Sequence, residues 1–508
     1  MILNRRSFIK TGGAAAAGTM VLPPLLKSCQ NLQITPDVKN YLDHFEVTPQ
    51  MLQKVIAAAL AKGGDYADLY FEHKISNYLG LEDGKVNRAS SNVDYGVGVR
   101  VLKGDQTGFA YTENITLKDM LQVAATAATI ANDPVMFDQK VLTEKTPPDY
   151  YRISGKWEDA SVEEKIPFVQ KINDRVFELD AKVTKVRVSQ SDETSFILFY
   201  NSEGLLTHDY RPMAIVTVTC VMEKDGQIEN SRIGRAFRKG VEFMDEALIE
   251  EVAQESVRNT NFLFGAGKPK AGEMPVVLGA GGSGILLHEA MGHAFEADFN
   301  RKGTSIFSDK MGKSVARDFI NIVEDGSIAN NRGSINVDDE GNDVKKIYLV
   351  REGILESYIH DRISAGYYGV APTGNGRRQS FRYVPIPRMR ITYMEPGPHR
   401  KEDIIGSVDY GVYVDNFSNG QVNIGAGDFT FFVRSGYLIE KGKLTRPIKD
   451  INIIGNGPRA LADITMAAGD FKIDNSTWTC GKSGQSVPVS MGIPTVLVKK
   501  LTVGGTSV

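Results

Sequence analysis

The stretch MPVVLGAGGSGILLHEAMGHAFEAD, Met274–Asp298, reads as a buried strand, a glycine turn and the start of a helix in one run. A short continuous apolar segment closed by glycines is a strand signal, and the apolar residues after Gly284 open a helix. His288, Glu289 and His293 lie on that helix in the pattern H-E-x-x-x-H. Two neutral imidazoles can hold a divalent zinc ion. A glutamate directly after the first of them can take a proton from water that the metal polarises, as in helical H-E-x-x-H sites. Here, however, the histidines are five residues apart. On a regular helix that turns the second ring by roughly 140°, against about 40° for a spacing of four. The spacing therefore predicts a π-bulge, whose wider turn brings positions five apart onto one face. Gly292 is expected to tolerate that distortion. The chain has only seven histidines, and this pair is framed by apolar residues, unlike a histidine pair on a polar surface helix.

Structural zinc takes four protein ligands, whereas catalytic zinc keeps three and leaves a position for water. Candidates for a third ligand are Glu296, Asp298, His360, His399 and Cys480. Cys480 lies in TWTCGKSGQSVPVS, with Lys482 two residues on. A nearby lysine favours thiolate over thiol. Two imidazoles and one thiolate leave the site at the same formal charge as two imidazoles and one glutamate. The other reading of Cys480 is a small buried hydrophobe.

The order of motifs along the chain adds to this. HEAMGHAFEAD at 288–298 is followed by SIFSDKMGKSV at 305–315, GSINVDDEG at 333–341 and TGNGRRQSFRYVPIPRM at 373–389. GAGDFTF at 425–431, GYLIEKGKLTRPIKDINIIGNGP at 436–458 and CGKSGQSVPVSMGIP at 480–494 complete the series. GGDYADLYFE at 63–72 and DYGVGVRVLKGDQTGFAYTEN at 94–114 extend it to the N-terminal half. From about residue 48 onward the chain resembles the TldD/PmbA family of zinc metalloproteases, in its TldD-type, metal-binding branch. The resemblance implies that His288, His293 and Cys480 bind Zn2+ and that Glu289 is the catalytic base. The other branch lacks the histidine motif, so its presence argues for an active protease. The resemblance also implies unfolded or flexible peptide substrates and a paired assembly, either a homodimer or a heterodimer with a related subunit.

At 508 residues, with 42% hydrophobic and 24% charged residues, the chain has ample material for a core and room for roughly three domains. A net charge of −3 gives no basic surface for nucleic acid, and no apolar run reaches the ~20 residues of a membrane span. The N-terminus, NRRSFIKTGGAAAAGTMVLPPLLKSC, has the basic start, weakly apolar middle and small-residue end of a signal peptide. Arg5 and Arg6, followed by Ser7, Phe8, Ile9 and Lys10, resemble the twin-arginine export signal. The expected location is therefore the periplasm or cell envelope. Leu26-Lys27-Ser28-Cys29 resembles a lipobox, which would anchor the chain to the membrane through Cys29; plain cleavage nearby is the other reading. Cys220, in the alternating run AIVTVTCVME, is expected in the core, and no disulfide framework is expected.

The expected fold class is α+β. After a signal peptide at 1–29 and an exposed linker at 30–47, residues 48–264 form an N-terminal α/β domain with an antiparallel sheet and packed helices. Thr48-Pro49 opens a helix whose apolar face is Met51, Leu52, Val55, Ile56, Ala59 and Leu60. Further helices are expected at about 116–131, from Ser161, and around 243–260, with strand runs between them. GAGKPKAGE at 265–273 is the linker. Residues 274–508 form a strand-rich, barrel- or sandwich-like domain carrying one metal-binding helix.

Gly279–Gly284 also fits G-x-G-x-x-G, the dinucleotide fingerprint. The same helix carries the histidines and no βαβ unit follows, so these glycines are expected to permit close backbone packing or the approach of a substrate strand. His360 and Arg388 are candidate oxyanion donors. Arg377 and Arg378 are expected to organise a loop or hold a substrate carboxylate. Asp338, Asp339 and Glu340 imitate a second metal site but read as an acidic turn. Three rival functions stay open: a different H-E-x-x-x-H zinc peptidase, a non-catalytic envelope peptide-binding or partner subunit, and a nucleotide-binding oxidoreductase.

Overall fold

In the computed structural model, which describes residues 37–133 and 137–505, the long strand runs of the N-terminal half pair into one seven-stranded sheet. The signal peptide at 1–29, with Arg5, Arg6 and Cys29, lies outside the described residues. Tyr66–Glu82 pairs antiparallel with Lys85–Lys103 on one side and with Val183–Asn201 on the other. Gln106–Thr112 extends one edge, and Leu205–Lys224 with Gln227–Phe237 extends the other.

The alternation of these strands has an unusual outcome. Leu69 and Phe71 face a core formed with helices Pro49–Leu60 and Leu117–Ala127. Asp68, Tyr70 and Glu72, on the opposite face, are buried as well. They lie under the C-terminal half of the chain. The second half of the sheet is covered in the same way by helices Val162–Leu179 and Glu246–Phe264. The helix starts follow their capping chemistry. Thr48 accepts from the Met51 amide, and Ser161 and Glu164 form a reciprocal capping box.

One expectation fails at the N-terminus of the described chain. The exposed linker expected at 30–47 is, in its described part, a helix at Val38–His44. Val38, Tyr41, Phe45 and Val47 are buried in the first core. Four apolar side chains within ten residues are enough to dock a short segment that lacks glycine and proline punctuation, each worth about 1.5–3 kcal/mol when fully buried.

Beyond the helix that ends at Phe264, strand Gly272–Leu278 enters the C-terminal domain. It pairs in parallel with Tyr410–Val422 and antiparallel with Val496–Val503. The path continues through Ile451–Asn456 and Asp428–Glu440 back to Tyr410–Val422, closing a barrel. A six-stranded sheet, with Ile322–Glu324 and Ile391–Met394 at its centre and Ser490–Ile493 next to the latter, lies beside it. The histidine segment runs through the core between the two. Among the described residues of this domain, four short α-helices follow the histidine segment, at Ala297–Arg301, Arg362–Tyr368, Lys401–Gly406 and Gly457–Ala462. No helix among the described residues is long and apolar enough to cross a membrane.

Buried ion pairs join the two halves. Arg100 bridges Asp68 and Glu340, and Arg211 bridges Asp209 and Asp339. Phe381 inserts against Gly96 and Gly98, where a Cβ would collide with its ring or backbone. The described residues consequently form a single unit.

Candidate metal centre

Strand Gly272–Leu278 delivers the chain to the glycine run, and backbone contact explains the glycines. Gly281 has φ +96°, and a Cβ on Gly284 would lie 2.9 Å from the Gly492 nitrogen in the neighbouring strand. The G-x-G-x-x-G spacing therefore serves close packing under the histidine helix. Ile285–Leu287 is α-helical, and His288–Gly292 makes one turn of π-helix. That wider turn is what the five-residue spacing requires. It leaves the two imidazoles with centroids 5.1 Å apart and planes at 79°. Gly292 itself has an ordinary helical φ of −57°. Its lack of a side chain is needed for a different reason, since a Cβ would sit 2.1 Å from the Met389 sulfur.

Cys480 arrives from a hairpin, Thr479–Lys482 paired with Gln485–Pro488. One ligand atom each from His288, His293 and Cys480 lie within 4.8 Å of one another, and all three residues are buried. The Cys480 Sγ is 3.4 Å from His293 Nε2. The His288 Nδ1 is buried without a hydrogen-bond partner. Burial alone would push the Cys480 thiol up, but His288 and His293 outweigh it and hold it well below its ordinary value. Burial would also push His293 down, yet Glu296 and Cys480 hold it well above the usual imidazole range. A buried thiolate beside two imidazoles is a donor set suited to zinc, so the residues fit the metal. Glu289 is partly exposed, with its carboxylate 4.0 Å from His293 Nε2.

Three comparisons bear on this arrangement. Family models match as PmbA/TldA metallopeptidase domain 1 over residues 67–131, central domain over 155–261 and C-terminal domain over 271–505. The chain belongs to the PmbA/TldD family of metallopeptidases. It is 37% identical to a metalloprotease TldD homolog of Haemophilus influenzae over 95% of this chain and 100% of that one. It is 31% identical to a zinc metalloprotease TldD homolog of Saccharolobus solfataricus over 89% of this chain and 99% of the relative. Among solved structures, a putative modulator of a DNA gyrase from Thermotoga maritima shares its fold, with TM-score 0.72 and 21% identity over 90% of this chain and 99% of that one. TldE from Thermococcus kodakarensis does so with TM-score 0.67 and 20% identity, over 90% of this chain and 100% of that one.

In this TldD-type chain the groups around the cluster differ from several expectations. Glu296, a candidate ligand in the sequence, instead accepts from His293 Nδ1 at 3.0 Å. It lies 3.0 Å from the Lys482 ammonium. Burial would raise its carboxyl, but Lys482 and His293 bring it down to about 2. Lys482 also donates to Asp298 Oδ1 at 2.7 Å and to the Pro387 carbonyl. Its charge thus acts on Glu296 and Asp298, and the thiolate owes its stability to the histidines. Lys482 and Glu296 are the site residues the sequence reading assigned least well. Their positions, two after the cysteine and three after the second histidine, were the available signal.

Arg388 does not face an open site. It donates to the carbonyls of Cys480, at 2.5 Å, and Gln485, and so holds the hairpin. Arg377 donates to the carbonyls of Met389 and Pro488. Arg378 donates to the Asp339 carbonyl and lies 3.6 Å from Asp68. His360 is buried against Tyr358 and Tyr368, and burial lowers its imidazole to about 4. His399 binds the Ala467 carbonyl away from the cluster. Asp338, Asp339 and Glu340 form a buried turn. Asp338 accepts three backbone amides, of Glu340, Asn342 and Gly376, while Asp339 and Glu340 pair with Arg211 and Arg100. Cys220 is buried in its strand, with its thiol pushed up to about 11 by burial.

Proposed function

We propose that this chain is a zinc-dependent peptidase acting on unfolded or flexible peptides, with His288, His293 and Cys480 holding the ion and Glu289 as general base. The observation that carries the reading is the convergence of two imidazoles and one thiolate, beside a partly exposed glutamate, in an otherwise buried setting. A bound zinc ion supplies Lewis acidity to water and to the scissile carbonyl. The chain's own groups do the rest. Glu296 accepts the Nδ1–H of His293 and so presents Nε2 to the ion. Lys482 balances the Glu296 charge in the low-dielectric interior. Arg388 fixes the main chain at Cys480. Glu289 takes a proton from the attacking water and passes it to the leaving amine.

The test uses two variants. Glu289→Gln is expected to retain zinc and fold but to lose about 10²–10⁴-fold in turnover of a casein-like substrate. Cys480→Ala is expected to lose zinc. Near-normal turnover by a zinc-loaded Glu289→Gln protein would sink the general-base assignment, and full zinc occupancy in Cys480→Ala would remove that ligand. A Glu289→Gln protein indistinguishable from an equally inactive wild type would favour a non-catalytic subunit.

A further inference from the structure

A cavity of about 480 Å³ lies between the polar face of the N-terminal sheet and the side of the Cys480 hairpin that carries Thr479, Ser486 and Pro488. Three guanidiniums in its wall stand out. Arg238, Arg332 and Arg377 are 3%, 5% and 3% exposed. A guanidinium has five N–H donors and a fixed positive charge. Arg238 donates to the carbonyls of Ser334 and Pro212, at 2.9 and 3.2 Å. Arg332 donates to the Trp478 carbonyl and the Thr479 hydroxyl, at 2.9 and 3.1 Å. Arg377 donates to the Met389 and Pro488 carbonyls, at 2.5 and 2.9 Å. Among the described residues, none of the three forms an ion pair with a carboxylate.

The carboxylates in the same wall are committed to other groups. Asp339 pairs with Arg211, Glu193 with Lys74 and Asp192 with Lys165. Glu72 accepts the Phe381 amide. By contrast, the buried guanidiniums of Arg100, Arg211 and Arg390 each face a buried carboxylate. Buried charges are ordinarily paired, because desolvation of a lone ion is expensive. The cost registers here: burial pushes Arg377 down to about 9, and burial with the neighbouring Arg238 charge pushes Arg332 down to about 10. Asp339, Glu193 and Asp209 act on these guanidiniums without ion-pairing with them, so three cations on one cavity lack a carboxylate of their own, a surplus that an anion would relieve.

We infer that this cavity is a subsite for a carboxylate of a peptide ligand, held by Arg238, Arg332 and Arg377. The planar fork of arginine matches a carboxylate, and the volume admits a short peptide segment. The carboxylate can come from the chain end or from an acidic side chain. Arg332 and Arg377 also grip Thr479 and Pro488, the facing pair at the open end of the hairpin that carries Cys480. A carboxylate bound there therefore touches the same element as the proposed metal ligand. The inference rests on the peptidase reading only in taking the ligand to be a peptide.

The experiment measures binding, so that it succeeds or fails independently of hydrolysis. Zinc-loaded, full-length Glu289→Gln protein is titrated with a fluorescent, N-acetylated hexapeptide of neutral residues. Three forms are compared: the free acid, the C-terminal amide, and the amide with one internal glutamate. The free acid is expected to bind at least about tenfold more tightly than the neutral amide, which is about 1.4 kcal/mol. Recovery of affinity in the glutamate-containing amide identifies a side-chain carboxylate as sufficient, and its absence assigns the site to chain ends. The free acid could also gain from contact with the metal, so the same comparison is made with Arg238→Met, a residue that touches neither the hairpin nor the zinc-binding groups. The acid–amide difference is expected to fall at least about fivefold there and to return in part in Arg238→Lys. If Arg238→Met does not fold, Arg332→Lys serves, with the planar fork lost and the charge kept, and is expected to narrow the difference. Equal affinity for acid and both amides, or an acid preference untouched by either arginine change, overturns the inference. Absence of peptide cleavage by the zinc-loaded wild-type protein, with the acid preference intact, would overturn the peptidase reading and leave the carboxylate subsite standing.

Discussion

Glu296 is the residue whose role the structure changes most. Three residues after His293 and acidic, it satisfies the sequence criteria for a third ligand. In the fold its carboxylate is fully buried and turned to His293 Nδ1 and Lys482. A ligating histidine is oriented by the acceptor on its other ring nitrogen, and such partners are worth about 10–100-fold in metal affinity. Glu296→Gln should therefore keep the three ligands and the fold but weaken zinc binding by about that factor. A competition titration against a chromogenic chelator reads this directly, with circular dichroism as a check on folding. Unchanged zinc affinity would show that the Glu296–His293 contact contributes nothing to the site. Arg388 carries the same lesson. Its sequence setting suits an oxyanion donor, yet its two terminal nitrogens donate to the Cys480 and Gln485 carbonyls.

The π-helical turn at His288–Gly292 is the element on which the site depends. A regular helix would point the two rings apart, so the extra residue per turn is what converts the H-E-x-x-x-H spacing into a shared face. The turn also presses against Met389, where Gly292 leaves room for a sulfur atom. Gly292→Ala is expected to destabilise the protein by about 1–3 kcal/mol through overpacking and to weaken zinc binding by displacing the turn. Shortening the neighbour should relieve part of this. In a denaturant-based double-mutant cycle, Gly292→Ala with Met389→Ala is expected to be at least about 0.5 kcal/mol more stable than additivity predicts. A strictly additive cycle would mean that the two residues do not crowd each other.

At the scale of the whole molecule, the two halves are held together by buried polar groups, and that makes stability pH-dependent. Glu72 sits at this junction, accepting the Phe381 amide at 2.9 Å. Burial raises its carboxyl to about 7, with Lys74 opposing. Because the folded value lies above the unfolded one, the folded state binds more protons between roughly pH 4.5 and 7, and stability falls as pH rises through that window. Asp338, raised to about 7 by burial and by Glu340, acts in the same direction. Glu72→Gln keeps an oxygen for the Phe381 amide and removes the titration. Thermal melts across pH 5–8 should show little difference from wild type at the acid end. A gain of about 2–3 kcal/mol at most is expected in the variant at pH 8. A gap between variant and wild type that does not change with pH would contradict this account.

Local pattern was enough for the long N-terminal strands, the longer helix starts and the histidine turn. The strand runs in Tyr66–Glu82 and Val183–Asn201, the caps at Thr48 and Ser161, and the five-residue histidine spacing each encode a conformation through short-range sterics and hydrogen bonds. The order of motifs was enough for the family. The docking of Val38–Val47 was missed because burial of Tyr41 and Phe45 depends on a sheet assembled from residues far along the chain. The partners of Glu296, Lys482, Arg388 and the acidic turn at 338–340 were hidden for the same reason. A buried charge is settled by whichever opposite charge or carbonyl the fold brings within about 3 Å, and those groups lie up to 240 residues away, as Arg100 and Glu340 do. Short-range chemistry thus fixed which residues could act, while long-range packing alone determined which of them face the metal site and which serve to hold the others in place.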